Sequence, residues 1–187
     1  MSTNVLALVG SLRAASVNRQ LAELAAASAP EGAEVTVYEG LADLPFYNED
    51  LDVEGADLPA VRALRAAGAE ADALLLLTPE YNGTIPAVLK NAIDWLSRPY
   101  GAGAVKDKPV AVISASPSQN GAVWAHEDTR KAVRIAGGRV LEDVTLSIGG
   151  TIGKFGDQHP RENAETVSEV AEVVRTLVDA TKELASV

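Results

Sequence analysis

The sequence predicts an open α/β domain in which a five-stranded parallel sheet is covered by helices on both faces. Two observations predict it. Three short runs, Val5-Leu6-Ala7-Leu8-Val9, Ala73-Leu74-Leu75-Leu76-Leu77 and Val110-Ala111-Val112-Ile113, are apolar without alternation, which marks strands buried on both sides. Segments of helical period separate them, and such alternation builds a doubly wound sheet. A third observation bounds the answer: 187 residues fit one compact domain, taken as 1–187, burying roughly two-thirds of its unfolded surface.

Each element has a local reason. After the first strand, Val17, Leu21, Leu24 and Ser28 recur at helical spacing until Pro30 and Gly32 stop the pattern. Val35-Thr36-Val37-Tyr38 is the second strand, weaker because it is more polar. The second helix is expected from about Leu58 to Ala69. The third opens with Pro86 at the first helical position and runs to about Ser97, before Pro99. A fourth spans roughly Val123 to Ala136 and ends at Gly137-Gly138; Arg139 to Ile148 supplies the fifth strand, and the last helix covers about Glu162 to Ala185. Asp43–Asp57 and Gly149–Pro160 are left irregular, and loops of that length are often functional. The third helix carries two apolar faces, Leu89, Ile93 and Leu96 on one side and Val88, Ala92 and Trp95 about a quarter-turn away. One face covers the sheet. The other is expected to pack against a second subunit, the alternative being a neighbouring helix of the same domain that covers Trp95.

Composition excludes several function classes. With 47% hydrophobic and 22% charged residues and no apolar run near the ~20 residues of a membrane span, the chain reads as an ordinary globular protein. The first four residues carry no basic side chain and the following apolar run is short, so the cytoplasm is the expected compartment. No Cys is present, which excludes disulfides, thiolate nucleophiles and cysteine-ligated metals, so redox chemistry has to come from a bound cofactor. A formal charge of −10 argues against nucleic acid and anionic membrane surfaces as partners. An anionic small ligand remains possible if backbone N–H groups and one or two Arg hold it locally.

In open parallel sheets ligands bind beyond the carboxyl ends of the strands, so the loops after strands one, three and four converge. The first, Gly10-Ser11-Leu12-Arg13-Ala14-Ala15-Ser16-Val17-Asn18, is a small-residue turn running into a helix N-terminus. Its N–H groups, the Ser11 and Ser16 hydroxyls, the Asn18 amide and the Arg13 guanidinium suit a phosphate. It contains neither a Gly-x-Gly-x-x-Gly nor a P-loop motif. The second, Thr78-Pro79-Glu80-Tyr81-Asn82-Gly83-Thr84-Ile85-Pro86, is a rigid Pro- and Asn-Gly-punctuated turn, and Glu80-Tyr81 is demanded by no turn type. The third, Ser114-Ala115-Ser116-Pro117-Ser118-Gln119-Asn120-Gly121, is small and hydroxyl-rich. Singly, each loop has a plain structural explanation. Together, after three core strands, they form a site. His126 and His159 match no metal-ligand pattern and are given no role, Trp124 reads as a packing aromatic, and the acidic stretch from Asp43 to Asp57 as a solvated face.

Gly10-Ser11-Leu12-Arg13 with Ser16 and Asn18, then Thr78-Pro79-Glu80-Tyr81-Asn82 and Leu89-Lys90-Asn91-Ala92-Ile93-Asp94-Trp95, resembles the NADPH-dependent FMN reductase family, from about Val5 to Ile148. Leu44-Pro45-Phe46-Tyr47-Asn48-Glu49-Asp50 is similar to the segment found there after strand two. Two positions depart from the family pattern: Ala87 where Gly often follows the proline, and Ser118 after Pro117 where Gly is usual.

The resemblance implies a flavodoxin-like sheet of strand order 2-1-3-4-5, FMN as cofactor with NADPH or NADH as co-substrate, and a homodimer or a tetramer of dimers with FMN near the subunit interface. Ser11, Arg13, Ser16, Val17 and Asn18 would hold the phosphate, Pro79, Glu80, Tyr81, Asn82 and Gly83 would frame the isoalloxazine, and Ser114 and Ser116 would lie against it from the third loop. It further implies a ping-pong cycle passing hydride through FMN to a quinone, free flavin, azo compound or metal oxyanion. No catalytic side chain and no metal is required, since the flavin carries the chemistry. A flavodoxin-type electron carrier and a flavin-binding redox sensor are the alternatives.

Overall fold

A computed structural model describes residues 2–185 of the chain. Strands β1 (Thr3–Val9), β2 (Ala33–Val37), β3 (Ala73–Thr78) and β4 (Pro109–Ala115) pair in parallel in the order β2-β1-β3-β4. Helices α1 (Val17–Ala27) and α6 (Ala164–Ala185) cover one face; α2 (Pro59–Glu70), α3 (Ala87–Leu96) and α4 (Val123–Ile135) cover the other. The strands divide their side chains accordingly. Val5, Ala7 and Val9 join Leu21, Val174 and Leu177 in one core, while Leu6 and Leu8 join Leu64, Leu89 and Trp95 in the other. Neighbours along a strand point to opposite faces, so two cores require apolar residues at every position, which is why these strands read as unbroken runs. No described helix is long and apolar enough to cross a membrane.

The fifth position of the sheet differs from the continuous strand expected over Arg139–Ile148. It is filled by two pieces, β5 (Arg139–Val140) beside the start of β4 and β6 (Leu146–Ile148) beside its end. The buried Arg130 of α4 explains the gap. Its guanidinium donates to the carbonyls of Leu141 at 3.1 Å, Glu142 at 3.0 Å and Val144 at 2.9 Å, and to the Glu142 carboxylate at 2.7 Å. Carbonyls that would otherwise remain unsatisfied are thus turned toward one side chain.

Both apolar faces of α3 are covered within the chain, so they give no argument for a second subunit. Trp95 is fully buried. The Tyr47 ring meets its edge at 4.9 Å between centroids, the Arg65 guanidinium lies 5.4 Å over it, and its Nε1 donates to the Pro45 carbonyl at 2.8 Å. Asn91 adds a bond from Nδ2 to the same carbonyl at 2.9 Å and accepts the Tyr47 N–H at 2.8 Å. Asn91 and Trp95, four apart on one helical face, therefore clamp the Pro45–Tyr47 segment. Nor is the acidic stretch all solvated: Asp52 bridges Arg65 at 2.8 Å and Arg98 at 3.5 Å. Pro86 sits one place earlier than expected, at the cap of α3. The stretch after β6 holds a short helix, α5 (Thr151–Phe155), that its sequence did not announce.

Candidate functional site

The carboxyl ends of β1, β3 and β4 open onto a cavity of about 220 Å³. The loop from β1 to α1 contributes Ser11, Arg13, Ser16, Val17 and Asn18, the loop after β3 contributes Pro79, Glu80 and Tyr81, and the end of β4 contributes Ala115, Ser116 and Pro117. Thr151, at the start of α5, completes the wall. Nine of those residues were expected at the site; Ala115, Pro117 and Thr151 were not singled out. Ala115 and Pro117 belong to a loop already chosen. Thr151 is 35 residues beyond Ser116 and reaches it through a backbone bond, Thr151 N–H to the Ser116 carbonyl at 3.3 Å.

The β1–α1 loop gathers hydrogen-bond donors and leaves several of them unserved. Ser16 has the extended backbone of a helix cap, φ −72° and ψ 130°, yet its side chain makes no capping bond to its own helix. A Ser at this position ordinarily satisfies an N–H of the first turn. Here the buried hydroxyl and the first-turn N–H groups of α1 stay available to a ligand. The first turn of α1 has no acidic residue to repel a negative charge. Of the two nearby arginines, Arg19 is committed, binding Glu39 at 2.6 and 2.7 Å and Glu23 at 3.3 Å. The hydrogen-bonded Arg19 in turn holds the Glu39 carboxyl below the usual carboxylate range. Arg13, exposed, makes no ion pair among the described residues. The Asn18 side chain is turned inward, its Nδ2 donating to the Ala115 carbonyl at 3.0 Å, and it ties the first loop to the end of β4.

The loop after β3 is a tight hairpin. Tyr81 and Thr84 exchange backbone bonds of 3.2 and 3.3 Å, with Asn82 at φ 54° and Gly83 at φ 76°. Positive φ at both central positions is the signature of the Asn-Gly type I′ turn. Glu80 has a structural duty that its sequence position conceals. Its Oε2 accepts the N–H groups of Trp124 and Ala125, both at 3.1 Å, so it caps α4 from another loop. Thr84 adds a bond to Asp128 at 2.6 Å. The wall formed by Pro79 and Tyr81 is thereby fixed to α4, and Tyr81 is half exposed at its mouth. Asn82 and Gly83 do not line the cavity.

Ser114 is likewise corrected. It is fully buried, donating to the Gly121 carbonyl at 2.7 Å and meeting the Ser147 hydroxyl at 2.9 Å, so it supports the third loop from beneath and does not face the cavity. Ser147 continues to His126 Nδ1 at 3.4 Å. Burial, and then the nearby Arg130, push the His126 pKa down to about 4, so this imidazole is neutral at pH 7. Ser116 faces the cavity and meets the Ser118 hydroxyl at 2.6 Å. The departure at Ser118 is harmless to the backbone: the left-handed conformations of this loop fall on Gly121, φ 64°, and Ala122, φ 63°. At Gly121 a Cβ would lie 2.9 Å from the Ser147 carbonyl carbon, so the close approach of the third loop to β6 admits only glycine.

These donors fit a phosphorylated flavin: a hydroxyl and backbone N–H groups for the phosphate, an unpaired guanidinium beside them, and two further loops for the remainder. Residues 3–152 match the NADPH-dependent FMN reductase family. A quinone reductase of Pseudomonas putida is 38% identical over 154 residues, 82% of either chain. A 2-hydroxy-1,4-benzoquinone reductase of a Burkholderia species is 41% identical over 131 residues, 70% of this chain and 69% of that one. Among solved structures, FerB of Paracoccus denitrificans, a flavoenzyme NAD(P)H:(acceptor) oxidoreductase, superposes with a TM-score of 0.84 at 31% identity, covering 97% of this chain and 98% of its own. With the sheet order, the three-loop cavity and a match over residues 3–152 in agreement, the chain belongs to the NADPH-dependent FMN reductase family of oxidoreductases.

Proposed function

We propose that the chain, a single domain, is an NAD(P)H-dependent quinone reductase that holds FMN in the three-loop cavity. The observation that carries this reading is Ser16: a buried cap hydroxyl that leaves its own helix unserved, opposite an arginine without an ion pair. Ser16, Ser11 and the α1 N-terminus hold the phosphate, and Arg13 neutralises it. Pro79 and Tyr81 shape the mouth, and Glu80 keeps that wall in place through α4. Bound there, FMN supplies two-electron redox chemistry, oxidising a nicotinamide and reducing an acceptor in alternate half-reactions. The two curated relatives named above support a quinone as acceptor; free flavins, azo compounds and metal oxyanions suit the same open mouth. A homodimer, or a tetramer of dimers, in the cytoplasm, where nicotinamide coenzymes are reduced, completes the reading.

The test is spectroscopic. Purified protein, loaded with FMN, is expected to be yellow and to bleach on anaerobic addition of NADPH or NADH, then to recover colour with a benzoquinone. A yellow protein inert to both coenzymes would favour an electron carrier or sensor. A protein that cannot be loaded with FMN would end the flavin reading.

A further inference from the structure

The flavin cavity has a neighbour at its phosphate end. Arg13, Val17, Pro117 and Thr151 border both it and a second cavity of about 390 Å³. That volume lies in the range of small-ligand sites, roughly 300–1,000 Å³. The second cavity's own wall comes from Gln20 and from the segment formed by α5 and its continuation, Ile152 to Gln158. Ile152 is 72% exposed and offers apolar surface at the cavity wall. The amides of Gln20 and Gln158 and the carboxylate of Asp157 have no side-chain hydrogen bond or ion pair among the described residues.

This is the chemistry that a purine riboside needs. A flat heterocycle takes apolar contact from Ile152, its ring nitrogens and amine take the two amides, and a ribose diol takes a carboxylate acceptor. Arg13 stands between the cavities without an ion pair, where a pyrophosphate would place its second charge. The cavity on the opposite flank of the loop, about 420 Å³, also borders Arg13, but its own wall supplies an arginine already committed, Arg19 with Glu39, in place of free amides. Pro79, Glu80 and Tyr81, which mark the ring end of the flavin site, do not border the second cavity.

We propose that the second cavity is an adenylate subsite, and that the chain binds FAD as well as FMN, with the adenosine of FAD beyond Arg13. The proposal rests on the flavin reading of the adjoining cavity. NAD(P)H carries an adenylate too, but its nicotinamide must reach the ring end of the flavin, and Asp157 opposes a ribose phosphate. FAD is therefore the source to which the placement points.

Dissociation constants of FMN and FAD for the apoprotein, from flavin fluorescence quenching, test it. FAD is expected to bind within about tenfold of FMN or more tightly. Ile152→Glu and Gln158→Leu, both on the wall that the flavin cavity lacks, are expected to weaken FAD by about tenfold or more while FMN stays within about twofold. Binding of FMN with FAD more than about a hundredfold weaker would overturn the proposal and leave the flavin site standing. So would equal shifts for both flavins, or a raised KM for NADH in the FMN-loaded variants with FAD affinity unchanged, which would assign the cavity to the nicotinamide coenzyme. Failure of both flavins to bind would remove the flavin site and this subsite together.

Discussion

Acidification is expected to destabilise the protein through His126 well before its carboxylates protonate. The imidazole is buried on α4, against the Ser147 hydroxyl and one turn from Arg130, and its pKa falls from 6.5 to about 4. The unfolded chain therefore binds a proton at this residue from pH 6.5 downward, while the folded chain refuses it until about pH 4. Stability is unaffected by His126 above pH 6.5 and falls as the pH drops through the window to about 4. At about 1.4 kcal/mol per pH unit, the full difference amounts to about 3 kcal/mol, of which about 2 kcal/mol is lost between pH 7 and pH 5. Urea denaturation of wild type and His126→Gln at those two pH values measures it. The variant keeps a neutral hydrogen-bonding group at every pH, so its stability should change less than that of wild type by about 2 kcal/mol. Equal changes in the two proteins would refute the reasoning, because they would assign the acid sensitivity elsewhere.

Three further outcomes are expected. Arg13→Ala should raise the FMN dissociation constant about ten- to a hundredfold, about 1.5–3 kcal/mol, without moving Tm, since the side chain is exposed and unpaired; an unchanged constant would remove Arg13 from the phosphate site. Glu80→Ala should cost about 1.5–3 kcal/mol in urea unfolding by stranding the Trp124 and Ala125 N–H groups, with Glu80→Gln recovering part of the loss. Asn91→Ala should cost about 1–3 kcal/mol by freeing Tyr47 N–H and half of the Pro45 carbonyl's partners, and should speed proteolysis within the 44–57 loop; resistance equal to wild type would show that Trp95 alone holds the segment.

What the sequence made legible, and what it hid, divides along the range of the interactions. β1, β3 and β4 stood out because burial on two faces makes the body of each strand an unbroken apolar run, and their loops followed from parallel topology. α5 did not stand out: five residues are too few to display a helical period. Glu80 lines the cavity, but its duty as the cap of α4 was hidden because its partners are 44 and 45 residues further on. Ser114 misled in the same way, its hydroxyl partner lying 33 residues ahead. Trp95 left two readings open, and its cover, the Pro45 carbonyl, comes from 50 residues earlier. Conversely, the Leu89–Trp95 motif proves to be architectural. Asn91 and Trp95 hold the Pro45–Tyr47 segment, so two of the stretches that resemble the family bind each other.

The divided fifth strand has a consequence for how the protein behaves at high concentration. An open sheet ends in a row of free N–H and C=O groups, and a long, regular border invites a strand from another molecule to add to it. Here that border is two residues of β5 and three of β6, interrupted between them by the Glu142-Asp143 turn. The carbonyls in between, which an incoming strand would need as acceptors, are occupied by Arg130. One guanidinium that looks like a packing detail thus also makes this side of the sheet a poor template for intermolecular pairing.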